Sequence, residues 1–124
     1  MDHFKDNIEV LTRKNTFFRH VIFTAPHSQL VLMSLKPNEE IGEEVHTDTD
    51  QFFRFESGEG KVVINGEEQI VRQNDAVVVP AGAKHNIINT STTSELKMYT
   101  IYSPAHHPDG TIHKTKDDAM NSEK

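Results

Sequence analysis

The chain is expected to fold as an all-β sandwich or barrel, and three features point there. From Phe17 onward, short apolar-rich runs, several dense in β-branched or aromatic residues, alternate with turn residues. Asn65-Gly66 separates Val62-Val63-Ile64 from Glu67-Glu68-Gln69-Ile70-Val71, and both turn residues tolerate the positive φ of a two-residue hairpin. Pro80-Ala81-Gly82 follows Val77-Val78-Val79 directly, so a buried strand ends there and the chain turns before His85.

The elements follow in order. Phe4, Ile8 and Leu11 sit at helical spacing, which predicts a short N-terminal helix over Asn7 to Thr12. The strand runs are Phe17 to Thr24, Gln29 to Leu35, Phe52 to Phe55, Lys61 to Ile64, Ile70 to Val71, Ala76 to Val79, Asn86 to Ile88 and Leu96 to Tyr102. Beyond Pro104 the sequence turns polar. Pro108-Asp109-Gly110 reads as a turn, and Lys114 to Lys124 holds almost no large apolar residue, so this tail is expected to pack lightly or to fray. The 124 residues suit one domain, 1–124, with a core over 16–103 and a polar tail over 104–124.

Composition excludes several function classes. The formal net charge is -6, and no dense block of Lys or Arg supplies the footprint of a nucleic-acid binder, so no nucleic acid is expected as partner. No apolar run approaches the roughly 18 residues of a membrane span, and Met1-Asp2-His3-Phe4-Lys5-Asp6 lacks the order of a signal peptide. The expectation is a soluble, cytoplasmic chain that does not engage a membrane. There is no Cys, which removes disulfides and thiolate-bound zinc together and leaves His, carboxylate and amide donors for any metal.

Two stretches share one grammar: Asn38-x5-Glu44-x-His46-x4-Gln51-x6-Gly58 and Asn74-x5-Pro80-x-Gly82-x2-His85-x3-Asn89. Glu44 and His46 are two apart, so on extended backbone a carboxylate and an imidazole point to the same side and can share a cation. Metal ligation needs neutral imidazole, so such a site weakens as pH falls through the histidine range.

These residues resemble the two motifs of the cupin superfamily, Gly-x5-His-x-His-x(3,4)-Glu-x6-Gly and Gly-x5-Pro-x-Gly-x2-His-x3-Asn, with every spacing matched between Lys36 and Asn89. The resemblance implies a double-stranded β-helix, a jelly-roll barrel with a metal inside one mouth. Asn38 and Asn74 stand where the family has glycine, and Asn is the side-chain-bearing residue best suited to a left-handed backbone. Glu44 takes the place of the first His and Gln51 that of the Glu. The implied ligand set becomes Glu44, His46, Gln51 and His85, a Glu-His-Gln-His variant with one carboxylate charge. Two imidazoles, one carboxylate and a weak amide oxygen suit a divalent ion with open positions: iron, manganese, nickel or zinc. Gln51 is the weakest of the four donors and can instead hold water or substrate.

Other residues are weighed against plainer roles. Asp48 and Asp50, interleaved with Thr47 and Thr49, are expected in a solvated turn that bonds local amides. Phe53 alternates with Gln51 and is a pocket-wall or core residue, while Arg54 belongs to the outer face or a dimer interface. His106, His107 and His113 are read as a surface cluster, the alternative being a tail that folds over the barrel mouth. Tyr102, ending the last long strand, is a second pocket candidate.

The resemblance implies a metal-binding protein acting on a small oxygen-bearing molecule, in the manner of the family's dioxygenases. Its sugar or sugar-phosphate isomerases and epimerases form one alternative, and a non-catalytic small-ligand binding or sensor module forms another. A homodimer is expected, with the run Phe17-Phe18-Arg19-His20-Val21-Ile22-Phe23 covering a sheet edge by pairing with a second chain.

Overall fold

The computed structural model describes residues 1–122. The elements are α1 (Ile8–Lys14), β1 (Arg19–Thr24), β2 (Gln29–Leu35), β3 (Asp50–Ser57), β4 (Glu59–Ile64), β5 (Glu67–Arg72), β6 (Ala76–Val79), β7 (His85–Asn89), β8 (Leu96–Ser103), β9 (Ile112–His113) and α2 (Lys116–Ser122). They form a six-stranded sheet of order β6-β3-β8-β2-β1-β9 and a three-stranded sheet of order β5-β4-β7. Every neighbouring pair is antiparallel. The all-β architecture and the short N-terminal helix are both as expected.

Period-two patterning builds the core. Leu96, Met98, Thr100 and Tyr102 of β8 face inward, as do Gln51, Phe53 and Phe55 of β3 and His85, Ile87 and Asn89 of β7. Val62, Val71 and Ile87 of the small sheet join Val31, Met33, Phe53, Phe55 and Met98 of the large one in a single apolar cluster. Each large apolar side chain buried this completely contributes about 1.5–3 kcal/mol. The register sets Gln51 beside Tyr102, Phe53 beside Thr100 and Phe55 beside Met98. The barrel interior is therefore polar at one mouth and apolar below it.

The turns explain the punctuation. Asn65 and Gly66 have φ of 50° and 84° between β4 and β5, the hairpin expected there. Asn38 and Asn74 take φ of 64° and 76°, the left-handed conformation for which Asn stands in for glycine. Asn89, 1% exposed, clamps the far end: its Nδ2 donates to the carbonyls of Leu35, Lys36 and Ser94, and its Oδ1 accepts from Ser91 N. Replacing Asn89 with Ala leaves these buried backbone groups without partners, so a loss of about 3 kcal/mol is expected in urea denaturation. A loss below about 0.5 kcal/mol would show that the clamp is dispensable.

The tail departs from the light packing expected of it. β9 pairs with β1, setting Arg19 opposite His113, while Val21 N donates to Thr111 O and Phe18 N to Lys114 O. α2 follows, with Thr115 Oγ1 accepting from Asp118 N at its start and Ala119 buried in the apolar cluster. Backbone pairing along β1 and one small side chain anchor this segment, and hydropathy registers neither. The last two residues of that expectation, 123 and 124, lie outside the described residues. The β1 edge from which a homodimer was expected is thus taken, over Arg19 and His20, by the same chain.

Candidate metal centre

The two motifs meet because the segment 39–44 runs antiparallel beside β7. Asn89 N donates to Glu39 O, Ile41 N to Ile87 O, and Glu44 and His85 exchange both backbone hydrogen bonds at 2.8 and 2.9 Å. Gly82 N donates to His46 O, and Asp50 Oδ1 accepts from Ala81 N, so the Pro80-Ala81-Gly82 turn is tied to the first motif at two points. Asp50 thus opens β3 and bonds a distant amide, not the local one expected of a solvated turn.

Within this frame His46 is 7% exposed and His85 4%, their rings 5.2 Å apart. His46 Nε2 is buried without a hydrogen-bond partner, and Glu44 Oε2 lies 3.6 Å from it. Burial first, then the charges of His106, His85 and Arg19, lower the His46 pKa to about 4, so the ring is a neutral donor at physiological pH. His85 Nδ1 faces the Ala83 carbonyl at 3.0 Å, and its Nε2 faces Gln51 Oε1 at 3.2 Å. A neutral imidazole carries one N–H. With that proton on Nδ1 and donated to Ala83, Nε2 turns a lone pair toward an amide oxygen, an arrangement that a cation between them resolves. Gln51 is held in place by its Nε2 donating to Thr100 Oγ1 at 3.0 Å.

The tail folds back to the mouth, the alternative weighed for its histidines, although His106 itself stays exposed. Gln29, 1% exposed, accepts from the backbone N–H of both His106 and His107 and donates to His107 O, which pins this loop at the mouth. The His106 ring lies 4.1 Å from that of His46. Donor atoms of Glu44, His46 and His106 all fall within 4.8 Å of one another. Neighbouring donors on a tetrahedral ion at ordinary metal–ligand distances stand about 3.4 Å apart. Glu44 Oε2 and His46 Nε2, at 3.6 Å, are close to that spacing. No spacing signal pointed to His106, because its approach depends on the fold-back of the tail.

Tyr102 lies at the mouth, 2% exposed, with its ring 5.8 Å from His46 and its hydroxyl 3.3 Å from His107 Nε2. Burial pushes its pKa above the usual phenol value, so it stays a neutral hydroxyl. His107 is lowered to about 3, by burial and then by the Arg19 charge. Phe53 is wholly buried one layer down, its ring 6.5 Å from His85, and supports the site from the core. Arg54 is on the outer face, bonded to Glu56 and Asn74. Arg19, which the sequence reading did not single out, is 3% exposed on the inward face of β1. It is the only Lys or Arg in the run Phe17 to Phe23, in step with buried Val21, and that alternation was an available signal.

The family described as "Cupin domain" matches residues 31–102. The chain is 48% identical over 110 residues to uncharacterized protein L612 of Acanthamoeba polyphaga mimivirus, covering 86% of this chain and 68% of that one. It is 45% identical over 123 residues to uncharacterized protein YrkC of Bacillus subtilis, covering 94% and 66% respectively, so it spans about two thirds of the length of each. Among solved structures, that of BH2720 from Bacillus halodurans superposes with a TM-score of 0.93 at 41% identity, over 95% of this chain and 93% of that one.

Proposed function

The chain belongs to the cupin domain family, and on that premise we propose that it holds a divalent cation on Glu44, His46 and His85 and acts on a small oxygen-bearing molecule as a dioxygenase-like enzyme. The observation that carries this reading is the buried, unpartnered His46 Nε2 beside the Glu44 carboxylate. A cation bound there supplies Lewis-acid polarisation of a ligand oxygen and, when redox-active, reactivity toward dioxygen.

The chain's own groups have separable roles. His46 and His85 are both donors: burial holds the His46 ring neutral, and the Ala83 carbonyl orients the His85 ring through Nδ1. Gln51, oriented by Thr100, offers a weak fourth oxygen or holds a ligand. His106 is a further donor brought by the tail. The Tyr102 hydroxyl is a neutral hydrogen-bond donor at the same mouth.

Metal analysis of the purified protein tests the site first. Glu44→Ala and His85→Ala are each expected to weaken metal binding on the order of 100-fold or more. Full metal content in both variants would defeat the reading. Oxygen consumption by the iron(II)-loaded protein with enolisable diketones or flavonols supports the dioxygenase branch, and turnover of sugar phosphates supports an isomerase instead. The way the pinned His106-His107 loop covers the mouth favours a second reading, a binding module without turnover. Saturable ligand binding with silence on both panels supports that one. Homodimerisation is part of the proposal, through a surface other than the paired β1 edge, and a monomer in sedimentation at micromolar concentration counts against it.

A further inference from the structure

β1 opens with a cation turned into the protein. Arg19 Nη1 donates to His113 Nδ1 at 3.1 Å. Its Nε is buried without a partner. Among the described residues no carboxylate stands within ion-pair distance of it. His113 Nε2 lies 3.1 Å from Ser122 Oγ, which donates to Ala119 O. A buried guanidinium without a carboxylate beside it is costly unless an anion completes its shell.

Space for an anion adjoins it. A cavity of about 290 Å3 is walled, among the described residues, by Arg19, His107, Pro108, Thr111, His113 and Ser122, none of which bears a carboxylate. On its other side Arg19 shares a cavity of about 240 Å3 with Glu43, Glu44 and Lys116, which links it to the candidate metal centre. Arg19 also lowers the pKa of both His46 and His107, so its field reaches the whole mouth.

We propose that Arg19 is an anion-binding residue, on which a small molecule seats a carboxylate or phosphate group within the cavity walled by His107, Thr111 and His113. A planar guanidinium suits both groups, since each can accept two parallel N–H bonds. The proposal goes beyond the metal reading and does not depend on it, although a ligand held here also lies next to Glu44.

The test uses the full chain freed of metal by chelation, titrated at constant ionic strength with inorganic phosphate, acetate and the uncharged acetamide. The readout is the amide chemical shifts of His107, Thr111 and His113. Saturable shifts with phosphate or acetate and none with acetamide are expected, and the anion that binds distinguishes phosphate esters from carboxylates. Arg19→Gln should weaken binding tenfold or more. Arg19→Lys keeps the charge but loses the planar fork, and should weaken it threefold or more, which keeps the test open should the Gln variant fail to fold. Absence of saturable shifts with either anion, or unchanged binding in a folded Arg19 variant, overturns the proposal. Anion binding that survives Glu44→Ala while metal binding is lost leaves this proposal standing, so the two readings fail separately.

Discussion

Metal-free protein is expected to lose about 3 kcal/mol of stability through His46 alone as pH falls from 6.5 to 4. The folded state holds this ring neutral, with a pKa of about 4 against 6.5 in the unfolded chain. Between those values the unfolded chain binds a proton that the folded chain refuses, so stability rises with pH across the window. The contribution is fully present above 6.5, is lost as pH approaches 4, and levels off below that. His107, lowered to about 3, acts in the same direction, but the two rings share neighbours and their effects do not simply add. Carboxylates elsewhere also respond to acid, so the informative quantity is the difference between wild type and His46→Asn in urea denaturation across pH. The variant should show the shallower dependence. Parallel curves would mean that His46 is not held neutral by the fold. Protons and cation also compete for the same Nε2, so metal affinity should fall over the acidic part of the same range.

Gly58→Ala is expected to cost about 4 kcal/mol, enough to unfold a marginal domain. Gly58 ends the first motif at φ +96° where the chain passes from β3 to β4, and a methyl group there would run into the Glu95 carbonyl oxygen and stand 3.0 Å from Leu96 Cα. Both obstacles are backbone at the start of β8, so no side chain can swing aside. Gly66→Ala is the control. Its φ is +84° but nothing lies within 4 Å of an added Cβ, so only backbone strain of about 1 kcal/mol applies. Equal melting temperatures for the two variants would show that the collision is relieved by a small shift of β8.

Much of the architecture could be read because its causes are local. Gln29 to Leu35 and Ala76 to Val79 were bounded as the strands β2 and β6, since turn residues flank each apolar run. β5 extends from Glu67, well before the apolar pair Ile70-Val71, because an edge strand pairs through its backbone and needs apolar side chains on few positions. β3 likewise begins at Asp50 and takes in Gln51, on the inward face where its alternation with Phe53 puts it.

Motif spacing brought Glu44, His46, Gln51 and His85 into one neighbourhood, because extended segments joined by short turns translate separation along the chain into position along a sheet. The contributions of Arg19, His106 and His107 arise differently. They depend on Gln29 bonding the loop after β8 and on β9 completing the edge of β1, contacts between segments far apart in sequence. Alternation and turn chemistry act over a few residues and are written in the order of the amino acids. Where the tail lies, and hence which histidines and which cation share the mouth with Glu44 and His46, is set by distant backbone groups that must find hydrogen-bond partners once they leave water.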